Sequence, residues 1–234
     1  MVILGIESSA VSASAALVKD GKLLSEAFLN VGLTHSVTLL PLIRQVVEGA
    51  GLAVSDIDAV AVSNGPGSFT GVRIGVATAK GIAQPEDKKC VPLSTLEVIA
   101  YPLAQNNCIA VSVMDARCNQ VYCAMFDCYN GFERITEDDA ITLDCLAEKL
   151  KEYPDKKLVL IGDGADISYK YLSEKAENIS VASPLVKYQR ASSVALLAND
   201  KLLNNETATN ASELVPSYLR LSQAERELKK KKES

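Results

Sequence analysis

The chain has 234 residues, a formal net charge of −5, 48% hydrophobic and 23% charged residues, a balance that fits a globular protein with a proper core and excludes a fibrous or disordered chain. Its longest apolar run, from Ala10 to Val18, is broken by serines and is far too short to span a bilayer, and the negative balance disfavours broad, non-specific nucleic-acid binding. Met1 leads straight into a strand pattern with no basic start, so no membrane contact and a cytoplasmic location are expected.

In chain order, Val2–Glu7 reads as a buried strand, Ser12–Val18 as a second and Lys22–Phe28 as a third, with Asp20-Gly21 supplying a hairpin turn. A helix is predicted from His35 to Gly49, with Thr34 as N-cap. Leu39, Leu42, Ile43, Val46 and Val47 form its apolar stripe, and Pro41 predicts a bend. Asp58–Ser63 is the next strand and a glycine-led helix follows to about Ala83, where Gln84-Pro85 stops it. Ile109–Met114 and Gln120–Phe126 form a predicted hairpin, and Tyr129-Asn130-Gly131 turns the chain. Leu143–Glu152 reads as helix, Leu158–Ile161 as a short buried strand ending at Gly162-Asp163-Gly164, and Ser192–Leu203 as helix again. A charged helix is expected over Ser222–Lys232, whose basic block Lys229–Lys232 reads as a solvated end.

The most informative segment joins strand to helix: Gly65, Pro66, Gly67, Ser68, Phe69, Thr70, Gly71, Val72, Arg73, Ile74 and Gly75. A glycine turn opening a helix suggests a phosphate cradle. The spacing excludes the two common ones: no Lys-Ser/Thr follows Gly71, and three residues rather than two separate the last glycines. Along the helix, Gly71, Gly75 and Ala79 recur every fourth residue and line one face. Glycine in a helix interior costs roughly 1 kcal/mol relative to alanine, so close approach of another backbone is expected there. That backbone belongs either to the protein's own sheet or to a second chain. Together with Leu39, Leu42, Ile43, Val46 and Val72, these positions form the expected partner face.

Metal and nucleophile chemistry is sparse. His35 is the only histidine, so no histidine pair can hold a metal and no triad has a base elsewhere. The six cysteines contain no Cys-x-x-Cys pair, and Cys118, Cys123 and Cys128 follow one another at a spacing of five, which suits reduced packing cysteines. No metal is expected.

The strand–turn–helix GPGSFTGVRIG resembles the signature of the TsaB (YeaZ) family, and other segments agree in the right order. They are Ile3–Ser9, His35-Ser36 with Leu39–Ile43, Ser94–Glu97, Met114–Arg117 leading into Val121-Tyr122, and Pro216–Arg220. The resemblance implies an α/β fold of two ribonuclease-H-like domains in tandem, as in actin-like ATPases and sugar kinases. The domains would cover residues 1–95 and 96–212, with a C-terminal helix at about 213–234 packing back on the first. In that fold Glu7, Ser8, Ser9 and Asp115 stand where metal and nucleotide phosphates bind. Here Ala10 and Val11 replace the glycine a phosphate hairpin wants, so a vestigial site is expected.

The resemblance further implies a non-catalytic subunit that pairs with TsaD, which transfers threonylcarbamoyl to the adenosine next to the tRNA anticodon, with TsaE joining. The chain would form a homodimer when alone, would bind no cofactor by itself, would meet ATP or ADP only in the assembled complex, and would touch tRNA only indirectly. The rival readings are an independent actin-like ATPase or kinase, a metallopeptidase, or a self-associating scaffold.

Overall fold

The computed structural model describes residues 1–117, 119–206 and 208–220. The chain is mixed α/β with two sheets. The first contains β1 (Val2–Glu7), β2 (Ala13–Lys19), β3 (Lys22–Leu29), β4 (Ala59–Gly65) and β5 (Lys89–Ser94) in the order β3-β2-β1-β4-β5. β1 runs antiparallel to β2 and parallel to β4, and β4 runs parallel to β5. Pro92 sits in β5 without penalty because β5 is an edge strand that needs fewer ladder donors.

All six residues of β1 are buried because helices cover both faces of the sheet. Val2, Leu4 and Ile6 point toward α1 (His35–Gly49) and α2 (Phe69–Ala83) in one apolar cluster. Ile3, on the alternate face, meets Val194, Ala195, Leu197 and Ala198 of α6 (Ala191–Leu203). Helix α1 continues through Pro41, and Thr34 caps its start by position alone, with no side-chain hydrogen bond.

The second sheet joins β6 (Ile109–Asp115), β7 (Gln120–Asp127), β8 (Glu133–Arg134), β10 (Leu158–Ile161) and β11 (Ile179–Val181) in the order β11-β10-β6-β7-β8, with β9 (Asp139–Thr142) also pairing β7. Ile109, Val111 and Val113 face α4 (Leu143–Leu150) and α5 (Ala165–Leu172). Ala110 and Met114 face α3 (Thr95–Ala100). The expected division of the chain at residue 95, with 96–212 as one unit, is corrected by α6, which belongs to 96–212 in sequence but covers the first sheet. The helix was legible in the sequence; the sheet it covers was not.

The expected C-terminal helix falls largely on residues 221–234, outside the described residues. Within the described part, residues 214–218 are irregular and lie on the first half, with Leu214 buried beside α1 and α2. Among the described residues no helix is long and apolar enough to cross a membrane.

Candidate functional site

At the end of β1, Glu7 is fully buried. One carboxylate oxygen accepts the Ser9 N–H at 2.7 Å and the Ser9 hydroxyl at 2.6 Å, and the other accepts the Ser63 hydroxyl. Burial pushes the Glu7 carboxyl above its ordinary range, against the pull of the hydrogen bonds from Ser63 and Ser9. Ser8 and Ser9 are equally buried. The Ser8 hydroxyl donates to the Gly71 carbonyl at 2.9 Å, and the Ser9 carbonyl accepts the Ser68 N–H at 2.6 Å.

The glycine loop is what closes this hairpin. Ser68 caps α2, its hydroxyl accepting the Gly71 N–H at 3.3 Å, and Gly67 lies so close to the Ser9 carbonyl that a side chain there would collide with it. Three of the hairpin's donors are therefore already used, while the buried Ser12 hydroxyl of the same turn has no partner among the described residues. The Ser9 N–H and hydroxyl go to Glu7, and the Ser8 hydroxyl goes to α2.

The predicted partner face is corrected by the same geometry. Leu39, Leu42, Ile43, Val46, Val72 and Ala79 are between 0% and 5% exposed and form the core over the first sheet. Gly71 and Gly75 are buried too, and a Cβ on either would strike Ser8. Periodicity shows that a helix has an apolar face, but not which surface covers it; here the covering surface is the chain's own β1 and its turn. The outward side of α1 carries different residues. Val37 is 71% and Leu40 58% exposed, alongside Val31, Leu33 and Val11 at 60% or more. The signal for them was apolar residues off the stripe.

His35 ties the start of α1 to the same turn, its Nε2 lying 2.7 Å from the Ala10 carbonyl. That is a structural use of the single histidine.

A second family motif docks on the glycine loop. The Ser217 N–H donates to the Asn64 carbonyl at 2.7 Å, and the Asn64 side chain donates to the Val215 carbonyl at 3.0 Å. Phe69 and Tyr218 stack at 4.9 Å. The Arg73 guanidinium lies 3.8 Å above the Phe69 ring while its Nε donates to the Tyr218 hydroxyl at 2.7 Å. Arg220 then reaches the turn between β6 and β7, donating to the Ala116 carbonyl at 3.0 Å. Sequence order separates these motifs by some 145 residues, so Asn64, Ser63, Arg73 and Tyr218 were not recognisable as a group.

Asp115, the other expected phosphate-site carboxylate, is exposed at the end of β6 and accepts the Arg117 N–H at 2.7 Å. It shares no hydrogen bond with Glu7, Ser8 or Ser9 among the described residues. Its nearer acidic neighbour is Asp163, whose carboxyl burial pushes up and which accepts a hydrogen bond from Gln189 at 2.9 Å. Among the described residues no group of three His, Cys, Asp or Glu side chains could hold a metal ion.

Comparison with known proteins gives this arrangement its relatives. The family model described as "TsaD: tRNA N6-adenosine threonylcarbamoyltransferase" matches residues 30–228. The tRNA threonylcarbamoyladenosine biosynthesis protein TsaB of Bacillus subtilis is 29% identical over 96% of this chain and 96% of its own length. The Escherichia coli protein of the same name is 30% identical over 70% of this chain and 72% of its own. The solved structure of YeaZ from Pseudomonas aeruginosa superposes with a TM-score of 0.77 at 23% identity, covering 93% of this chain and 99% of that one, and shows the same fold. Matched along nearly the whole Bacillus subtilis protein and most of the Escherichia coli one, the chain belongs to the TsaB (YeaZ) family.

Proposed function

We propose that this chain acts in threonylcarbamoyladenosine formation on tRNA as a non-catalytic subunit that pairs with a TsaD-type transferase. The observation that carries the non-catalytic reading is the closed hairpin: Ser9 spends its N–H and hydroxyl on the Glu7 carboxylate, which also accepts the Ser63 hydroxyl, and Ser8 spends its hydroxyl on α2. A site that must bind and release a nucleotide keeps its phosphate donors free; here the Ser8 and Ser9 hydroxyls and the Ser9 N–H are all committed within the fold. The relatives' shared name, tRNA threonylcarbamoyladenosine biosynthesis protein, supports the pathway.

The pairing surface we assign is the exposed apolar group Val11, Val31, Leu33, Val37 and Leu40, contributed by the β1–β2 turn, the loop before α1 and the outer face of α1. The transferase partner would cover it, a second copy would cover it in the isolated protein, and TsaE would join the pair. Nucleotide, as ATP or ADP, belongs to the assembled complex, and tRNA reaches this chain only through its partner. The two sheets are read as ribonuclease-H-like domains in tandem, and the protein as cytoplasmic.

The test has two arms. Deleting the gene and restoring it should remove and return threonylcarbamoyladenosine in hydrolysed tRNA, read by mass spectrometry, and the tagged chain should bring the TsaD-type transferase with it. Calorimetric titration of the isolated protein with magnesium ATP should give a Kd of about 1 mM or weaker, equivalent to roughly 4 kcal/mol. Micromolar affinity with turnover would replace this reading by the independent ATPase.

A further inference from the structure

Cys108 stands immediately before β6 and Cys128 immediately after β7. The antiparallel register that pairs Ile109 with Asp127 therefore sets the two cysteines opposite each other. The Cys128 N–H donates to the Cys108 carbonyl at 2.9 Å, and the Cys128 thiol turns toward the Phe126 carbonyl at 3.9 Å. Directly opposed residues of a hydrogen-bonded antiparallel pair have Cα atoms about 5.5 Å apart. A disulfide spans Cα separations of about 4.4–6.8 Å, so the bridge needs no movement of the strands.

The remaining described cysteines differ. Cys90 and Cys123 are buried in β5 and β7, with burial pushing the Cys123 thiol up to about 12, and Cys145 is exposed on α4. Cys108 and Cys128 are buried too, but each adjoins an exposed stretch, Gln105–Asn107 on one side and Asn130 on the other. Local opening at this end of the hairpin would admit a small reagent without global unfolding.

We propose that Cys108 and Cys128 are an oxidisable dithiol, which a small disulfide of the glutathione class converts into an intramolecular cross-strand disulfide locking the start of β6 to the end of β7. The Cys108 thiolate attacks one sulfur of the oxidant and expels the first thiolate, which takes up the proton Cys108 released. Cys128 then loses its proton, attacks the Cys108 sulfur of the mixed disulfide and expels the second thiolate. Two protein thiols are oxidised and one small disulfide is reduced to two thiols. Cys108 is the first nucleophile because the neighbouring Cys128 thiol holds its pKa down, while the Cys108 thiol pushes that of Cys128 up.

The experiment incubates the folded, full chain in glutathione buffers of graded potential, alkylates free thiols and maps peptides without reduction. The expected product is a Cys108–Cys128 cross-linked pair lighter by two hydrogens, reversed by dithiothreitol, absent in Cys108→Ser and Cys128→Ser, and accompanied by a higher Tm of the oxidised protein. The map of the unsubstituted chain decides the matter even where a serine variant folds poorly. Glutathionylation confined to Cys145, a bridge that involves Cys118 or Cys145 instead, or cross-linking only in denaturant would each overturn the proposal.

Discussion

Ser8 and Gly71 are in backbone contact across two elements distant in sequence: the Ser8 hydroxyl donates to the Gly71 carbonyl at 2.9 Å, and no Cβ fits on Gly71 without striking the Ser8 carbonyl. One turn further along α2, a Cβ on Gly75 would fall 2.5 Å from the Ser8 hydroxyl oxygen and 3.4 Å from Val62. The glycine ridge is therefore the surface on which the β1–β2 turn rests.

Gly75→Leu follows directly. Removing a helical glycine gains roughly 1 kcal/mol of helix propensity, but forcing a leucine against Ser8 and Val62 costs about 1–3 kcal/mol or more. The second effect wins because Ser8 is fixed on both sides and has nowhere to move. The expected outcome is a lower Tm in the monomer, measured by calorimetry. An unchanged or raised Tm would mean that α2 does not rest on Ser8.

The second prediction concerns pH. Burial raises the folded-state pKa of Glu7 above its ordinary value of 4.5, so the folded protein holds this proton more tightly than the unfolded chain. Its contribution is fully present below about pH 4.5 and is lost as pH rises through the folded pKa. Glu7→Gln abolishes that titration. The difference in unfolding free energy between the variant and the natural protein should therefore move in the variant's favour as pH rises from 4.5, as followed by urea melts at several pH values. A difference independent of pH would mean that Glu7 titrates normally.

Tyr218→Ala tests the contact between the two family motifs. It removes the stack on Phe69 at 4.9 Å and the acceptor of the Arg73 Nε hydrogen bond. The stack is worth about 0.5–1.5 kcal/mol, and the Arg73 cation over Phe69 about 0.5–1 kcal/mol at an exposed site. Arg73 keeps its place over Phe69 in this variant, so the loss should stay near the value of the stack alone, about 0.5–1.5 kcal/mol. A double-mutant cycle with Arg73→Ala should show non-additivity of at least several tenths of a kcal/mol. Strict additivity would mean that the two side chains act independently.

Much of the fold was legible because it is written in local periodicity. β1, α1 and β10 were read at their observed limits, and β7 and α6 within one residue. What was missed depends on distant partners. β5 starts on a charged lysine and carries Pro92, β11 has three residues, and both are strands only because β4 and β10 lie beside them. Glu7, Ser8 and Ser9 were legible as a site by their place after β1. Ser63 was not, because its hydroxyl joins them only through the parallel pairing of β1 with β4. The glycine stripe was legible as a close approach, but its counterpart, Ser8, lies 63 residues away.

The last prediction concerns the face that the buried stripe leaves outside. Val37 and Leu40, three residues apart on α1, are 71% and 58% exposed, so their side chains contribute little to the chain's own core. Replacing both by aspartate should leave Tm nearly unchanged, since substitutions at exposed sites usually stay within about 0.5 kcal/mol. Desolvating two carboxylates in an apolar contact costs far more than that, so association with the TsaD-type transferase should weaken at least tenfold, about 1.4 kcal/mol. Self-association of the isolated chain, read by analytical ultracentrifugation, should weaken with it if one face serves both partners. The buried pair Leu39 and Ile43 supplies the control: aspartate there should unfold the chain rather than release a partner. Full association by the Val37 and Leu40 variant, with stability retained, would move the partner surface off α1.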